Sequence, residues 1–133
     1  MAKVEFQISN FSTGIILLSF KIIGNPNQEK TKEINIDSKD NISNTTEPII
    51  LSPADLKAVL PPDPISFGFT GKGLVISGQG PIWLYGFLIH FYHPVKFVAT
   101  HDNQQEYAVI VESHTPDYCV GDVLEIPQVR LIK

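Results

Sequence analysis

Polar and apolar residues alternate along the first part of the chain, and this pattern predicts β-strands. The alternation runs over residues 3–9 and again over residues 30–37, and side chains two apart along a strand lie on the same face. Between these segments, residues 15–23 form a longer apolar run rich in β-branched side chains, which are typical of strands. We therefore expect an antiparallel meander over the first 37 residues.

The middle of the chain predicts a polar loop followed by a short helix. Residues 38–48 are almost entirely polar, and we expect a surface loop there. Ser52 and Pro53 have the residue types of a helix N-cap and a first helical turn, and the proline cluster that follows ends this helix early. We therefore expect residues 38–64 to form a variable loop and a short helix.

A short apolar strand, a glycine turn and one long apolar helix come next. Residues 74–77 are predicted to form a buried strand, and the main helix runs from about 81 to 92. His93-Pro94 ends this helix, because a residue before proline disfavours the α conformation. Further strands are predicted at residues 97–100, 107–112 and 123–132. We expect an α/β fold with a mixed sheet flanked by the helices, although an antiparallel α+β sheet fits the pattern nearly as well.

Composition narrows the class of protein. The 133 residues have the size of one domain, and we expect residues 1–133 to form a single domain. A net charge of −4 without a basic block argues against duplex DNA and other long duplexes as partners, but not against a small nucleotide. The single cysteine, Cys119, excludes an internal disulfide within a monomer. We expect a cytoplasmic protein without a membrane partner, because the sequence carries no signal peptide and no apolar run of about 18 residues.

Gly78-Gln79-Gly80-Pro81 lies where a predicted strand gives way to the main helix. Glycine lets the backbone approach a ligand closely, and the first turn of a helix presents unpaired N–H groups and a positive dipole end. These features are typical of a phosphate-binding turn. The stretch matches neither the dinucleotide fingerprint, because Trp83 replaces the third glycine, nor a P-loop, because no Gly-Lys-Ser/Thr follows. The alternative is a tight turn without a ligand.

Several histidines and a carboxylate follow the glycine turn. His90 and His93 are three residues apart on the predicted helix, so they lie on nearly the same face, and His101-Asp102 follows the next strand. Such a group can hold a divalent metal or act as general acid and base. The alternative is that each histidine is simply satisfied by hydrogen bonds. Ser113-His114 follows the strand predicted at 107–112, and it offers either a phosphate or ribose contact or only a polar strand end.

The order of these residues along the chain is itself informative. The residues in question are, in chain order, residues 74–85, His90, Tyr92-His93, Phe97-Val98-Ala99, Asp102, Ala108-Val109-Ile110-Val111, Ser113-His114 and Gly121-Asp122-Val123. This order resembles the small CRISPR-associated ring nucleases of type III systems. These are manganese-dependent phosphodiesterases that degrade the cyclic tetra-adenylate messenger, and some were first described as RNA deadenylases. The resemblance is close over residues 73–126, holds only in pattern for the N-terminal strands, and hardly extends to residues 38–64.

The resemblance implies a fold distantly related to Rossmann-like nucleotide sensors, a homodimer, and a cyclic messenger that can be sandwiched between dimers. It also implies that the glycine turn and the start of the helix bind the nucleotide. By position, the expected ligand contacts are Ser77, Gly78, Gln79, Gly80, Pro81, Gln104, Ser113 and His114. His93 and Asp102 are implied as catalytic residues, and we expect the same two residues to hold Mn²⁺ or another divalent metal.

Two departures from the family pattern affect the expected activity. The family has an arginine where this chain has Gln79, and Pro-Arg-Leu where this chain has Asn103-Gln104-Gln105. Arginine pairs with phosphate as a charged bidentate donor, whereas glutamine donates hydrogen bonds without charge. Three alternatives to a ring nuclease therefore stay open. They are a non-catalytic sensor of cyclic oligoadenylate, a manganese-dependent exonuclease that trims RNA 3′ adenosines, and an interaction module that binds no nucleotide.

Overall fold

The computed structural model describes residues 2–24, 50–101 and 105–126 of the chain. Its elements, in chain order, are β1 (Lys3–Ser12), β2 (Ile15–Ile23), a short 3₁₀ helix (Pro53–Ala58), β3 (Gly73–Ser77), α1 (Ile82–Phe91), β4 (Phe97–His101), β5 (Tyr107–Ser113) and β6 (Val123–Glu125).

Most of the predicted elements are confirmed, with small shifts at their ends. The main helix predicted from about 81 to 92 is α1, and the strands predicted before and after it are β3, β4 and β5. The strand predicted over 30–37 and the loop predicted over 38–48 lie outside the described residues. The strand predicted over 123–132 is β6 at its beginning, and residues after 126 are again outside the described part.

The chain divides into two compact units, one of residues 1–5 and 22–60 and the other of residues 6–21 and 61–133. In the first unit, the short 3₁₀ helix begins after Ser52, as the sequence predicts. The buried Asp55 carboxylate accepts a hydrogen bond from the Ser52 N–H at 2.9 Å. This bond is the main reason why the pKa of Asp55 lies below its usual value. The hydrogen bond between Ser52 and Asp55 therefore caps the start of the helix and also gives the buried carboxylate a partner.

The sheet is mixed. Its strand order is β1-β2-β3-β4-β5-β6, with β2, β3 and β4 parallel to one another and β5 and β6 antiparallel to their neighbours. Only Thr13-Gly14 joins β1 to β2, and Gly14 has a φ of +76°, which a two-residue hairpin turn favours. The predicted mixed α/β sheet is confirmed. A purely antiparallel sheet is wrong, because α1 connects the parallel strands β3 and β4 as a crossover.

Helix α1 covers one face of the parallel strands. Its residues Leu84 and Leu88 are fully buried, and Tyr85 meets the ring of Phe20 on β2 edge to face, with the ring centroids 5.4 Å apart. Leu18 and Ile76 are paired in register on this side of the sheet. The apolar helix is thereby held over β2 and β3, and its first turn follows directly from the end of β3.

The opposite face of the sheet carries a second apolar cluster. A side chain at Gly73 would overlap the ring of Phe97, so glycine at the start of β3 lets that ring lie against the sheet. The buried members of the cluster are Phe11, Ile15, Val75, Phe97, Ala99, Ala108, Ile110 and Ile126. With both faces of β3 and β4 covered, the ends of these strands are fixed in position, and these ends carry the polar residues.

Candidate functional site

The sheet has two ends that carry candidate residues. At the carboxyl end, the parallel strands β3 and β4 finish with Ser77 paired to His101. At the amino end, the same strands begin with Gly73 paired to Phe97. Strand β5 runs the other way, so it finishes at the amino end with Ser113 opposite Phe97. Ligands of open parallel sheets bind outside the carboxyl ends of the strands, which makes the first end the expected nucleotide site.

The glycine turn lies at the carboxyl end, between β3 and α1. A Cβ at Gly78 would come within 2.7 Å of the Phe20 carbonyl oxygen and 2.8 Å of its ring, so this position admits only glycine without a backbone shift. The Tyr85 hydroxyl donates a 2.7 Å hydrogen bond to the Gly78 carbonyl and ties the turn to the helix. Gln79 and Gly80 are exposed. The backbone at this end is therefore held in place while its outer surface stays open to solvent.

Ser77 and His101 form a hydrogen-bonded pair beside the turn. The Ser77 Oγ lies 2.9 Å from His101 Nδ1, and His101 Nε2 lies 3.0 Å from the Gln105 carbonyl oxygen. A carbonyl oxygen only accepts, so in the neutral imidazole Nε2 carries the proton and Nδ1 accepts from the serine hydroxyl. The Ser77 oxygen then keeps its lone pairs as hydrogen-bond acceptors. It suits a ligand group that donates, such as a ribose hydroxyl or a base amino group.

A second polar group lies at the amino end. His93 follows α1, and its Nδ1 lies 3.0 Å from the Glu112 Oε2. His114 Nε2 lies 3.2 Å from the same oxygen, and the two imidazole rings are 5.0 Å apart at an interplanar angle of 86°. His93, Glu112 and His114 each offer a ligand atom, and these atoms all lie within 4.8 Å of one another. We call these three residues the His-Glu-His group.

The neighbouring Ser113 has a structural task. Its hydroxyl lies 2.6 Å from the Tyr118 carbonyl and 2.9 Å from the Thr115 carbonyl, and it also accepts from the Thr115 N–H at 3.2 Å. These bonds shape the turn that follows β5. The interpretation of Ser113 as a polar strand end therefore has direct geometric support, while a ligand contact from it stays a prediction.

The predicted site residues thus fall into two groups. Ser77 and the turn 78–81 lie at the carboxyl end, whereas His93, Ser113 and His114 lie at the amino end. Asp102 and Gln104 lie outside the described residues; in sequence they follow His101, the last residue of β4. The five residues of β4 separate the two ends, which is about 13 Å at the usual rise per residue. The structure does not bring the two groups together within one copy.

Glu112 and the Ser77–His101 pair were missed in the sequence. One signal for Glu112 exists: it lies two residues before His114, and residues two apart on a strand share a face. The sequence analysis considered Ser113 and His114 together because they are adjacent. Neighbouring strand residues point to opposite faces, however, so the residue that shares a face with His114 is Glu112. The pairing of Ser77 with His101 carried no local signal, because the two are 24 residues apart in sequence.

Comparison with known proteins identifies relatives of this chain. The family model described as CRISPR-associated protein (Cas_csx3) matches residues 44–125. An uncharacterized protein of Aquifex aeolicus (strain VF5) is 52% identical over 75 residues, which is 56% of this chain and 68% of that protein. The residues that the family model matches include every candidate site residue, from Ser77 to His114. In the described part of the structure, no helix is long and apolar enough to cross a membrane.

Proposed function

Because the chain belongs to the CRISPR-associated family Cas_csx3, we propose that it is a ring nuclease that cleaves the cyclic tetra-adenylate messenger of type III CRISPR defence. The observation that carries this proposal is the glycine turn at the carboxyl end of the sheet. There Ser77, the Gly78 backbone and the first turn of a ten-residue helix follow one another. Such an arrangement favours the binding of a nucleotide phosphate.

The carboxyl end provides the groups that bind the messenger. The N–H groups of the first turn of α1 and the helix dipole favour a phosphate there. Gly78 and Gly80 let the phosphate approach the backbone, and the exposed Gln79 amide donates a hydrogen bond without adding charge. The Ser77 oxygen, oriented by His101, accepts from a ribose hydroxyl. Binding therefore depends mainly on the backbone, which agrees with a chain of net charge −4.

Cleavage depends on His93 and Asp102. A ribose 2′-oxygen attacks the adjacent phosphorus, so that the O2′–P bond forms and the P–O5′ bond breaks. The 2′ proton leaves and the 5′ oxygen gains a proton. His93 moves a proton between these substrate oxygens, and Glu112 orients its ring through Nδ1. Asp102, which follows His101 in sequence, is the second residue that the resemblance implies for cleavage.

Two copies of the chain must share one messenger in this mechanism. Within one copy, the glycine turn and His93 lie at opposite ends of the sheet, about 13 Å or more apart. A single phosphodiester therefore meets both only when one copy supplies its carboxyl end and another its amino end. This requirement fits the expected homodimer and the expected sandwiching of the ring between dimers.

The resemblance also implies Mn²⁺, and the donor set of the amino end is chemically suited to such an ion. Two imidazoles and one carboxylate lie close together there, and nitrogen and oxygen ligands of this kind suit divalent transition metals. When bound, the ion would stabilise negative charge on the phosphoryl oxygens. His93 belongs to this donor set, and Asp102 is the second ligand that the resemblance implies.

The first test is incubation of the purified protein with cyclic tetra-adenylate, with and without Mn²⁺, followed by chromatography of the products. We expect linear di- or tetra-adenylate only when the metal is present. His93→Gln and Asp102→Ala should each lower the cleavage rate by about 100- to 10,000-fold, the usual range for loss of acid–base catalysis. Binding of the messenger, measured by calorimetry, should change little in both variants.

The exposed Asp117→Ala variant is the matched control for Asp102→Ala. An intact ring after prolonged incubation of the wild-type protein would exclude the nuclease, and full activity of Asp102→Ala would exclude the role of that residue. Release of adenosine from the 3′ end of linear RNA, with the ring left intact, would instead identify an exonuclease.

A second function, a sensor that holds the messenger without cleaving it, is favoured by one observation. One copy of the chain contains the whole glycine turn, which is the part that binds. The residues for cleavage are less complete there, because Gln79 replaces the family arginine and His93 lies at the other end of the sheet. A sensor would bind the ring and remain saturated, while an enzyme would free itself by releasing linear product. Titration followed by product analysis separates the two.

A further inference from the structure

We propose that Lys21 is the cationic ligand that holds a phosphate of the messenger at the glycine turn. This lysine lies near the end of β2, and no motif in the sequence singles it out. The inference rests on the proposed function, because it names a further side chain of the same nucleotide site. It concerns binding alone, so it is tested separately from cleavage.

The register of the sheet places Lys21 at the same end as the glycine turn. Ser19 of β2 is paired with Ser77, the last residue of β3. Strand β2 runs parallel to β3 and continues to Ile23, so Lys21 lies two residues, about 6–7 Å, farther along the direction of both strands. Neighbouring strands are about 4.8 Å apart. Lys21 therefore lies beside the space outside the carboxyl end of β3.

A close contact also ties the turn to this part of β2. A Cβ on Gly78 would lie 2.7 Å from the Phe20 carbonyl oxygen, so the backbone of the turn passes directly against β2 at residue 20. That carbonyl belongs to the peptide bond that links Phe20 to Lys21. The absence of a side chain at Gly78 thus brings the turn next to the backbone from which the lysine side chain extends.

Lys21 lies on the same face of the sheet as the side chain of Ser77. Side chains an even number of residues apart on a strand share a face. On β2, Leu17 packs against the second apolar cluster, and Lys21 follows it by four residues. On β3, Val75 belongs to that cluster, and Ser77 follows it by two. Lys21 and the Ser77–His101 pair therefore lie on the face opposite α1.

A row of polar residues separates the apolar cluster from Lys21. Ser19, Ser77 and His101 are in register on the neighbouring strands β2, β3 and β4. All three are half-buried, whereas Lys21 is exposed. A sugar-phosphate unit matches this order, because its hydroxyl can donate to the Ser77 oxygen while its phosphate meets the ammonium group farther out.

Lys21 supplies a positive charge that the turn itself lacks. Among the described residues of β2, β3, β4 and the glycine turn, it is the only lysine or arginine. No carboxylate in the described part of the chain forms an ion pair with it. A lysine binds phosphate as a point charge on a flexible four-carbon stem, so its ammonium group can reach an anion beside the exposed Gln79.

The test is a calorimetric titration of the full chain with cyclic tetra-adenylate, in the presence of a chelator so that the ring stays intact. Lys21→Gln removes the charge, and we expect it to raise the Kd by about 10- to 100-fold, the usual effect of losing a hydrogen bond from a charged group. Lys21→Arg keeps the charge and should bind within a few-fold of the wild type.

Lys72→Gln is the matched control. Lys72 is exposed and directly precedes β3, at the amino end of the sheet, and its substitution changes the net charge of the protein by the same amount. We expect it to bind as the wild type does. Salt dependence adds a second readout, because the slope of log Kd against log salt should fall by about 0.7 in Lys21→Gln, one phosphate contact, and stay unchanged in Lys72→Gln.

Protection from acetylation tests the contact without any substitution. The bound ring should slow the acetylation of Lys21 in the wild-type protein, measured by mass spectrometry, and leave that of Lys72 unchanged. Equal acetylation of Lys21 with and without the bound ring would overturn the proposal. A folded Lys21→Gln variant with wild-type affinity and salt dependence would also overturn it, and so would an equal loss of affinity in Lys72→Gln. Thermal melts show whether each variant is folded.

The outcome is distinguishable from that of the proposed function. Binding that depends on Lys21 while the ring stays uncleaved with Mn²⁺ would remove the nuclease and keep this ligand. Cleavage with a wild-type KM in Lys21→Gln would keep the nuclease and remove this ligand. A wild-type protein that does not bind the ring would overturn both.

Discussion

Single residues in this protein acquire their roles from partners that lie far away in sequence. Glu112 is an ordinary strand residue by its neighbours, yet its carboxylate accepts from His93, which precedes it by 19 positions. His101 orients the Ser77 hydroxyl across 24 positions. Tyr92 shows the same principle in the core, because its buried hydroxyl donates to the Pro62 carbonyl at 2.7 Å. The bond of Tyr92 satisfies a hydroxyl that would otherwise be costly to bury.

We expect Tyr92→Phe to lower the free energy of unfolding by about 1 kcal/mol at neutral pH, the usual net contribution of a buried hydrogen bond. Burial, with a further contribution from the charge of Asp63, raises the pKa of the Tyr92 phenol well above its usual range. The stability that comes from the neutral phenol is therefore fully present below the unfolded pKa of about 10. It is lost progressively as the pH rises above that value.

Denaturant titrations from pH 7 to 11 test both parts of this prediction. The wild type should lose stability above about pH 10, and Tyr92→Phe should lose less over the same interval. Tyr107→Phe is the control, since Tyr107 is 37% exposed and its substitution should leave the neutral stability nearly unchanged. Equal alkaline slopes in wild type and Tyr92→Phe would contradict the assignment.

At the scale of elements, the unit β3–turn–α1 positions the proposed nucleotide site. The strand is buried on both faces, and α1 is apolar around most of its circumference. The helix therefore has to begin immediately after the strand and cover the sheet, and the connecting turn has little space. Phe20 on β2 limits that space directly, because its backbone oxygen lies where a side chain of residue 78 would extend.

Gly78→Ala should therefore destabilise the protein and weaken nucleotide binding. The added Cβ would meet the Phe20 carbonyl oxygen at 2.7 Å, and a backbone atom of a central strand cannot move aside cheaply. We expect a loss of about 1–3 kcal/mol, as for other overpacked sites, with a lower affinity for cyclic tetra-adenylate. Thermal melts and calorimetry measure the two effects.

Gly86→Ala is the matched control for this change. Gly86 lies in α1 with no neighbouring atom within 4 Å of its added Cβ, so alanine there should stabilise the helix by up to about 1 kcal/mol. If Gly78→Ala were as stable as Gly86→Ala, the tight turn could not be the feature that positions α1.

At the scale of the whole molecule, the two ends of the sheet carry different parts of the proposed function. The carboxyl end offers backbone N–H groups and an oriented hydroxyl, which are suited to binding, while the amino end offers imidazoles and a carboxylate, which are suited to proton transfer and metal binding. An antiparallel strand beside parallel ones produces this division, because the end of β5 meets the beginning of β4.

Mixing two inactive variants should restore cleavage if copies share a site. His93→Gln removes the proton carrier at the amino end, and Asp102→Ala removes the second catalytic residue that the resemblance implies. If these two residues meet across copies, a mixed assembly still contains interfaces in which both are intact. We expect each variant alone to be inactive and the mixture to regain a measurable fraction of the wild-type rate with cyclic tetra-adenylate. A mixture as inactive as its components would show that the site is built within one copy.

Sequence reasoning identified the elements of this fold better than their arrangement. The boundaries of β2, β4 and α1 follow from local patterns, since apolar periodicity and proline positions act over a few residues. The parallel pairing of β2 with β3 had no local signal, because residues 24–72 lie between them in sequence. The short helix after Ser52 was predicted for the right physical reason, namely its cap.

The sequence by itself determined which residues have chemistry to offer, and through the order of those residues it also indicated the family. The glycine turn and the histidine after α1 could be named without any structure, because residue type and local spacing define them. Only the tertiary structure decided which of these residues meet. Strand direction and register place His93 beside Glu112 and His114 and leave the glycine turn at the other end of the sheet. Pairing between distant segments depends on the packing of the whole core, which no local pattern encodes.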